Sequence, residues 1–171
     1  MEKKLELRMY GLVPYNMSPI QQGIQFGHAV VDYGQSVKGL PNIEEKYNDW
    51  ANNWKTFIIL NGGTTNTNPE RLGTLNQHAQ TLLQNGVMCQ KFHEPDLGDQ
   101  LTAVVFIVDE RVFNKELYPD YVELDIDENV SSDAREYLLN ERKKLYKNWL
   151  DYIGGEKNEF LRAFLKNFRL A

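Results

Sequence analysis

The chain has 171 residues, of which 42% are apolar, 12% aromatic and 25% charged, proportions that exclude a disordered or fibrous chain and suit one folded unit with a sizeable core. The net charge of −5 conceals a division: residues 1–93 carry 8 basic and 7 acidic groups, residues 94–136 carry 3 and 13, and residues 141–171 carry 8 and 4. An acidic middle of that density excludes a broad non-specific nucleic-acid surface, which needs clustered Lys and Arg, and leaves only the C-terminal segment for a local basic patch.

The longest apolar stretch, TAVVFIV, is far short of the roughly 20 residues that cross a bilayer, and MEKKLELRMYG carries no apolar export segment. A cytoplasmic protein without membrane contact is expected. Cys89 is the single cysteine, so no internal disulfide forms, and its place in an expected strand predicts a buried thiol.

In chain order, LELRMYGL (residues 5–12) alternates as a one-faced strand does, and Pro14 and Asn16 are expected to break it. SPIQ then starts a helix over about 19–36: Ser18 caps, Pro19 takes the first position, and Gln21 closes a capping box. Ile20, Ile24, Gly27, Val31 and Gly34 are its expected inner face. A second helix is read over residues 43–54, a short strand at KTFIILN, and a third helix from TNPERL, capped at Thr67 and stopped at Gly86. VMCQKFH and LTAVVFIVD read as two strands around the polar connection EPDLGDQ.

This β-α-(α)-β-α-β-β order predicts an α/β fold, a mixed four-stranded sheet with helices on both faces. Residues 1–110 would form that core. Residues 111–171 would be an acidic connector and two C-terminal helices, packed on the core or on a partner subunit as a homodimer. Ala134, Leu138, Leu145 and Trp149 mark the face of the first of these helices, and Phe160, Leu161, Phe164, Leu165 and Phe168 that of the second.

Three polar clusters fall where open α/β sheets bind ligands, beyond strand ends and at helix starts. In QQGIQFGHA, Gln21, Gln25 and His28 share one helical face beside Gln22, offering amides that hold a carbonyl or a base edge and an imidazole that transfers protons near neutral pH. The alternative is a core histidine bonded to a carbonyl. LNGGTTN places Asn61, Gly62, Gly63 and Thr64 after a strand, a composition that can turn backbone N–H groups toward an anion or simply make a turn. HEPDLGDQLT crowds Glu94, Asp96 and Asp99 beside His93 and before Thr102. Crowded carboxylates repel, so one can keep a proton and act as acid or base, unless the loop is merely acidic. Cys89, His93 and Glu94 lack a zinc spacing, and no metal or other cofactor is expected.

With its opening strand, a Gly-containing helix bearing Gln25, His28 and Ala29 as Q-x-x-H-A, a strand-helix-strand unit and Thr102 heading an apolar strand, the chain resembles the type-2 peptidyl-tRNA hydrolase fold over roughly residues 5–109. In that family a lysine four residues before the glutamine serves hydrolysis of the ester joining peptide to tRNA, together with an aspartate and threonines of the later loop. Here that lysine position is Gln21, Thr102 matches a threonine, and FHEPDLGDQ replaces the family's D-x-G-R-T-Q run, with Asp96 or Asp99 as the acidic counterpart.

The resemblance implies a hydrolase acting on an RNA end or nucleotide, specifically on peptidyl-tRNA. His28, Glu94, Asp96 and Thr102 would be the catalytic set, and Gln21, Gln22, Gln25, Asn61, Gly62, Gly63 and Thr64 would hold the ligand. Loss of the lysine charge favours a second reading, a protein that binds a small, cyclic or linear signalling nucleotide and either sequesters it or cleaves its phosphodiester. A third is an interaction protein associating through its aromatic C-terminal helices.

Overall fold

A computed structural model describes residues 4–127 and 129–171. The chain runs β1 (Leu7–Pro14), α1 (Pro19–Ser36), α2 (Pro41–Asp49), β2 (Thr56–Gly63), α3 (Thr74–Gln84), β3 (Cys89–Glu94), β4 (Gln100–Asp109), α4 (Glu110–Phe113), α5 (Ser132–Tyr152) and α6 (Glu156–Leu165). The sheet is mixed and four-stranded in the order β2-β1-β4-β3, with β1 parallel to β2 and β4 antiparallel to both neighbours. The parallel pair is the one joined by helices, as a crossover requires.

Alternation along β1 and β4 sorts the core onto two faces. Met9, Val13, Ala103, Val105 and Ile107 meet Phe26, Ala29, Tyr33 and Val37 of α1 and Trp50 on one side. Tyr10, Leu12, Val104, Phe106 and Val108 meet Leu75, Ala79 and Leu82 of α3, with Leu161 and Phe164 of α6, on the other. β4 is buried on both faces, which explains its unbroken apolar run. Gly11 lies under the Phe26 ring, where an added Cβ would overlap ring carbons and press on Val105. Gly11→Ala should therefore cost about 2 kcal/mol by overpacking, read as a lower urea midpoint at unchanged slope.

Four local expectations are corrected. The inner face of α1 is Gln22, Gln25, Phe26, Ala29 and Tyr33, whereas Ile20 is 77% and Val31 62% exposed and Ile24 also faces outward. Both stripes have spacings of three and four, and the large rings of Phe26 and Tyr33 prevail because they bury more apolar surface. β1 continues through Pro14 with a register shift at Val13/Pro14; a proline at a strand end gives up no interior ladder bond. The helix read over 43–54 is α2 followed by a π-helical turn, Trp50–Trp54, closed by Lys55 in the left-handed region at φ 54°. Thr67 caps no α-helix: Asn68 caps a 3-10 turn at Pro69–Arg71, and α3 begins only at Thr74.

The C-terminal segment is tied to the core by polar bonds as well as by Leu161 and Phe164. The buried Asp109 carboxylate accepts both Nε and Nη2 of Arg111 at 3.0 Å and Nδ2 of Asn158 at 3.3 Å to each oxygen. Burial alone would raise its pKa, yet these donors and the nearby Lys46 hold it below the usual carboxylate value. A depressed folded-state pKa contributes stability that is present above the unfolded value of about 3.9 and is lost as pH falls below it. Acid titration followed by circular dichroism should show stability dropping below about pH 4, with a shallower fall in Asp109→Asn. At the chain's end, Asn61 N–H donates to Arg169 O and Ala171 N–H to Ile59 O, so the last residues cover the outer edge of β2. α5 buries none of its own residues, and Ala134 and Leu145 of its expected face are exposed.

Candidate functional site

The carboxyl ends of β1, β2 and β3 and the amino end of β4 share one rim of the sheet: Pro14 pairs with Gly63, and Glu94 with Gln100. Two residues past the last β1–β4 pair, Leu12–Val104, lie Pro14 and Thr102. The first turns of α1 pass over this rim. Their direction is set by Ser18, whose hydroxyl accepts from Gln21 N–H at 3.3 Å while Gln21 Oε1 accepts from Ser18 N–H at 3.1 Å.

That start angle turns Gln22 and Gln25 toward the sheet. Gln22 Nε2 donates to Pro14 O at 3.0 Å. Gln25 bridges two strands: Thr102 Oγ1 donates to its Oε1 at 2.8 Å, and its Nε2 donates to Glu94 Oε2 at 2.6 Å. The carboxylate can only accept, so the amide nitrogen must face Glu94 and the hydroxyl must point at the amide oxygen. Gln25 and Thr102 are buried, and Glu94 is half-buried. The result is a directed chain, Thr102 to Gln25 to Glu94, that fixes one carboxylate at the surface. Its Oε1 accepts no hydrogen bond among the described residues.

His28 lies one turn further along α1, exposed, its ring 4.7 Å from that of Phe92 on β3. It makes no hydrogen bond among the described residues, so nothing there orients it as a general base. Gly23 and Gly27 have open space at their Cβ positions, about 140° and 100° around α1 from His28 and so on another face of the helix.

The remaining expected residues stand apart from this chain. Gln21 is exposed and engaged in the capping box. Asp96 and Asp99 are exposed on the β3–β4 turn, where Gly98 and Asp99 both have positive φ and Asp99 N–H closes onto Glu94 O. The glycine turn reaches the same rim through Tyr15 N–H to Gly63 O at 3.0 Å, but it is satisfied internally. Gly63 N–H donates to Asn61 Oδ1 at 2.9 Å and Thr64 N–H to Thr74 Oγ1 at 2.8 Å, so neither donor is aimed at an anion. Gly62 is buried against Leu12 and Leu75.

Two features escaped the sequence reading. Phe92, the platform under His28, sits in a short strand where an aromatic reads as core; its signal was adjacency to a polar loop. The other is a large groove at the opposite rim, beside the asparagine-rich NIEEKYNDWANNW. Among the described residues no group of three or more His, Cys, Asp or Glu side chains could hold a metal, and no helix is long and apolar enough to cross a membrane. No family model and no curated protein matches the chain.

Proposed function

We propose that the rim formed by α1, β3 and β4 binds a small nucleotide without hydrolysing it. The observation that carries this reading is the Thr102–Gln25–Glu94 chain, which holds a carboxylate whose Oε1 is unbonded among the described residues, near the exposed His28 ring on the half-buried Phe92. Rings of this kind stack a nucleobase, worth about 1–3 kcal/mol per base, and a fixed carboxylate accepts from the amino or imino donors of a base edge.

A catalytic reading lacks parts. The position of the family lysine is a neutral amide turned to its own helix cap, and among the described residues His28 has no hydrogen-bond partner to orient it. With Asp96 and Asp99 flanking Glu94, the surface repels a long polyanion more than a small ligand.

Peptidyl-tRNA ester hydrolysis is the second reading, favoured by one observation: Thr102 and a carboxylate do meet at the helix that carries Gln25 and His28. The two separate in one experiment. Purified protein is incubated with peptidyl-tRNA and with a panel of linear and cyclic nucleotides, following product release and melting temperature. A saturable rise in melting temperature with a nucleotide and no product is expected, and it should vanish in His28→Ala and in Glu94→Gln. Turnover of peptidyl-tRNA lost in Glu94→Gln would replace binding by hydrolysis, and neither shift nor product would remove both.

A further inference from the structure

The groove at the opposite rim, about 930 Å³, lies between the amino end of β1, the carboxyl end of β4 and α2 with its π-helical turn. Such turns recur at functional positions because they displace side chains from the regular helical surface. Lys46 of α2 lines the groove. Its ammonium stands 4.0 Å from Asp109 Oδ2, beyond hydrogen-bond range, and makes no hydrogen bond among the described residues.

Asp109 is already neutralised by the Arg111 fork and by Asn158. Asp49, the acid at the groove's other end, is held by Lys4 and Asn53, each at 2.5 Å. Lys46 thus shares the Asp109 carboxylate with Arg111, two cations on one acid, in a wall where Asp49 is held by Lys4 and Asn53 and Glu45 is exposed. Burial lowers its pKa, Asp109 counters that in part, and the fields of Lys157 and Arg111 lower it further. Around it, the side-chain amides of Asn42, Asn48 and Asn52 line the groove and make no hydrogen bond among the described residues. An ammonium with three rotatable donors among amide donors suits a tetrahedral oxyanion that accepts from several directions.

We propose that this groove is a second ligand site, taking a phosphate-bearing small molecule whose phosphate faces Lys46 and whose polar body meets Asn42, Asn48 and Asn52.

The test uses the whole protein labelled with carbon-13 at lysine Cε. In chloride buffer the Lys46 resonance should titrate below the usual lysine range. Millimolar inorganic phosphate at matched ionic strength should move it saturably and raise its midpoint by about one pH unit, while acetate does neither. Phosphate should also raise the melting temperature of the native chain and of Lys147→Met, but not of Lys46→Met. A Lys46 resonance indifferent to phosphate, an equal response to acetate, or a full thermal shift in Lys46→Met would each overturn the proposal. Because nucleobase binding at the far rim is read through His28 and Glu94, failure of either site leaves the other to be judged by its own variants.

Discussion

Arg162→Ala is expected to destabilise the protein by about 2–4 kcal/mol, from stranded carbonyls and a void, while the half-exposed Asp120 adds little. The arginine is 4% exposed, and its guanidinium joins α6 to α4 and to the acidic connector, beside the weaker Lys166–Asp120 pair at 3.4 Å. Nη1 donates to Arg111 O at 2.5 Å, Nη2 to Tyr118 O at 2.8 Å, and Nη2 and Nε to Asp120 Oδ1 at 2.7 and 3.2 Å, with the Trp149 ring 5.7 Å away. Alanine would strand two carbonyls and leave a void between α6, α4 and the connector. Lysine keeps the charge but cannot reproduce the fork, so Arg162→Lys should recover less than half of the loss. Urea denaturation monitored by Trp fluorescence checks both; a change under about 1 kcal/mol in Arg162→Ala would show that the connector is held elsewhere.

Gln25→Leu is expected to cost about 1–3 kcal/mol of stability and to weaken nucleotide binding about 10- to 100-fold. Leucine fills the same space without either bond. The Thr102 hydroxyl, in a residue 1% exposed, is left with only a long contact of 3.4 Å to Phe92 O, and Glu94 loses the donor that fixes it. The double variant Gln25→Leu/Thr102→Val should be no less stable than Gln25→Leu alone, because removing both partners abolishes the stranded donor. Isothermal titration with the nucleotide that binds the native chain measures the second effect. Unchanged affinity in Gln25→Leu would detach Glu94 from recognition and with it the reading of the rim as a base-binding site.

The order of elements was legible because each carries its own local signal: Ser18 and Gln21 for the start of α1, the turn residues around Gly98 for the β3–β4 connection, the long apolar run for β4. Which stripe of α1 faces inward was not. Ile20, Ile24 and Val31 compete with Phe26, Ala29 and Tyr33 on spacing alone, and the choice depends on Gly11 making room for Phe26 across the sheet. The candidate site divides in the same way. Gln25, Glu94 and Thr102 were named separately, but nothing local distinguishes Glu94, which receives the Gln25 amide, from Asp96 and Asp99 two and five residues on. Similarly, the glycine turn has an anion-binding composition, yet Thr74, ten residues away, supplies the acceptor for Thr64 N–H that removes the donor.

By itself the amino-acid sequence determined the alternation of strands and helices, the mixed four-stranded α/β class and the set of polar residues available at one rim, since caps, turns and periodicity act over a few residues. Only the tertiary structure decided which amides are buried, which acid is fixed, that Lys46 shares Asp109 with Arg111, and that Arg162 binds the C-terminal segment to the core. Those outcomes are contacts between groups 40 to 80 positions apart, as in Thr102–Gln25 and Arg162–Asp120, and their energies arise from desolvation and pairing that no local window contains.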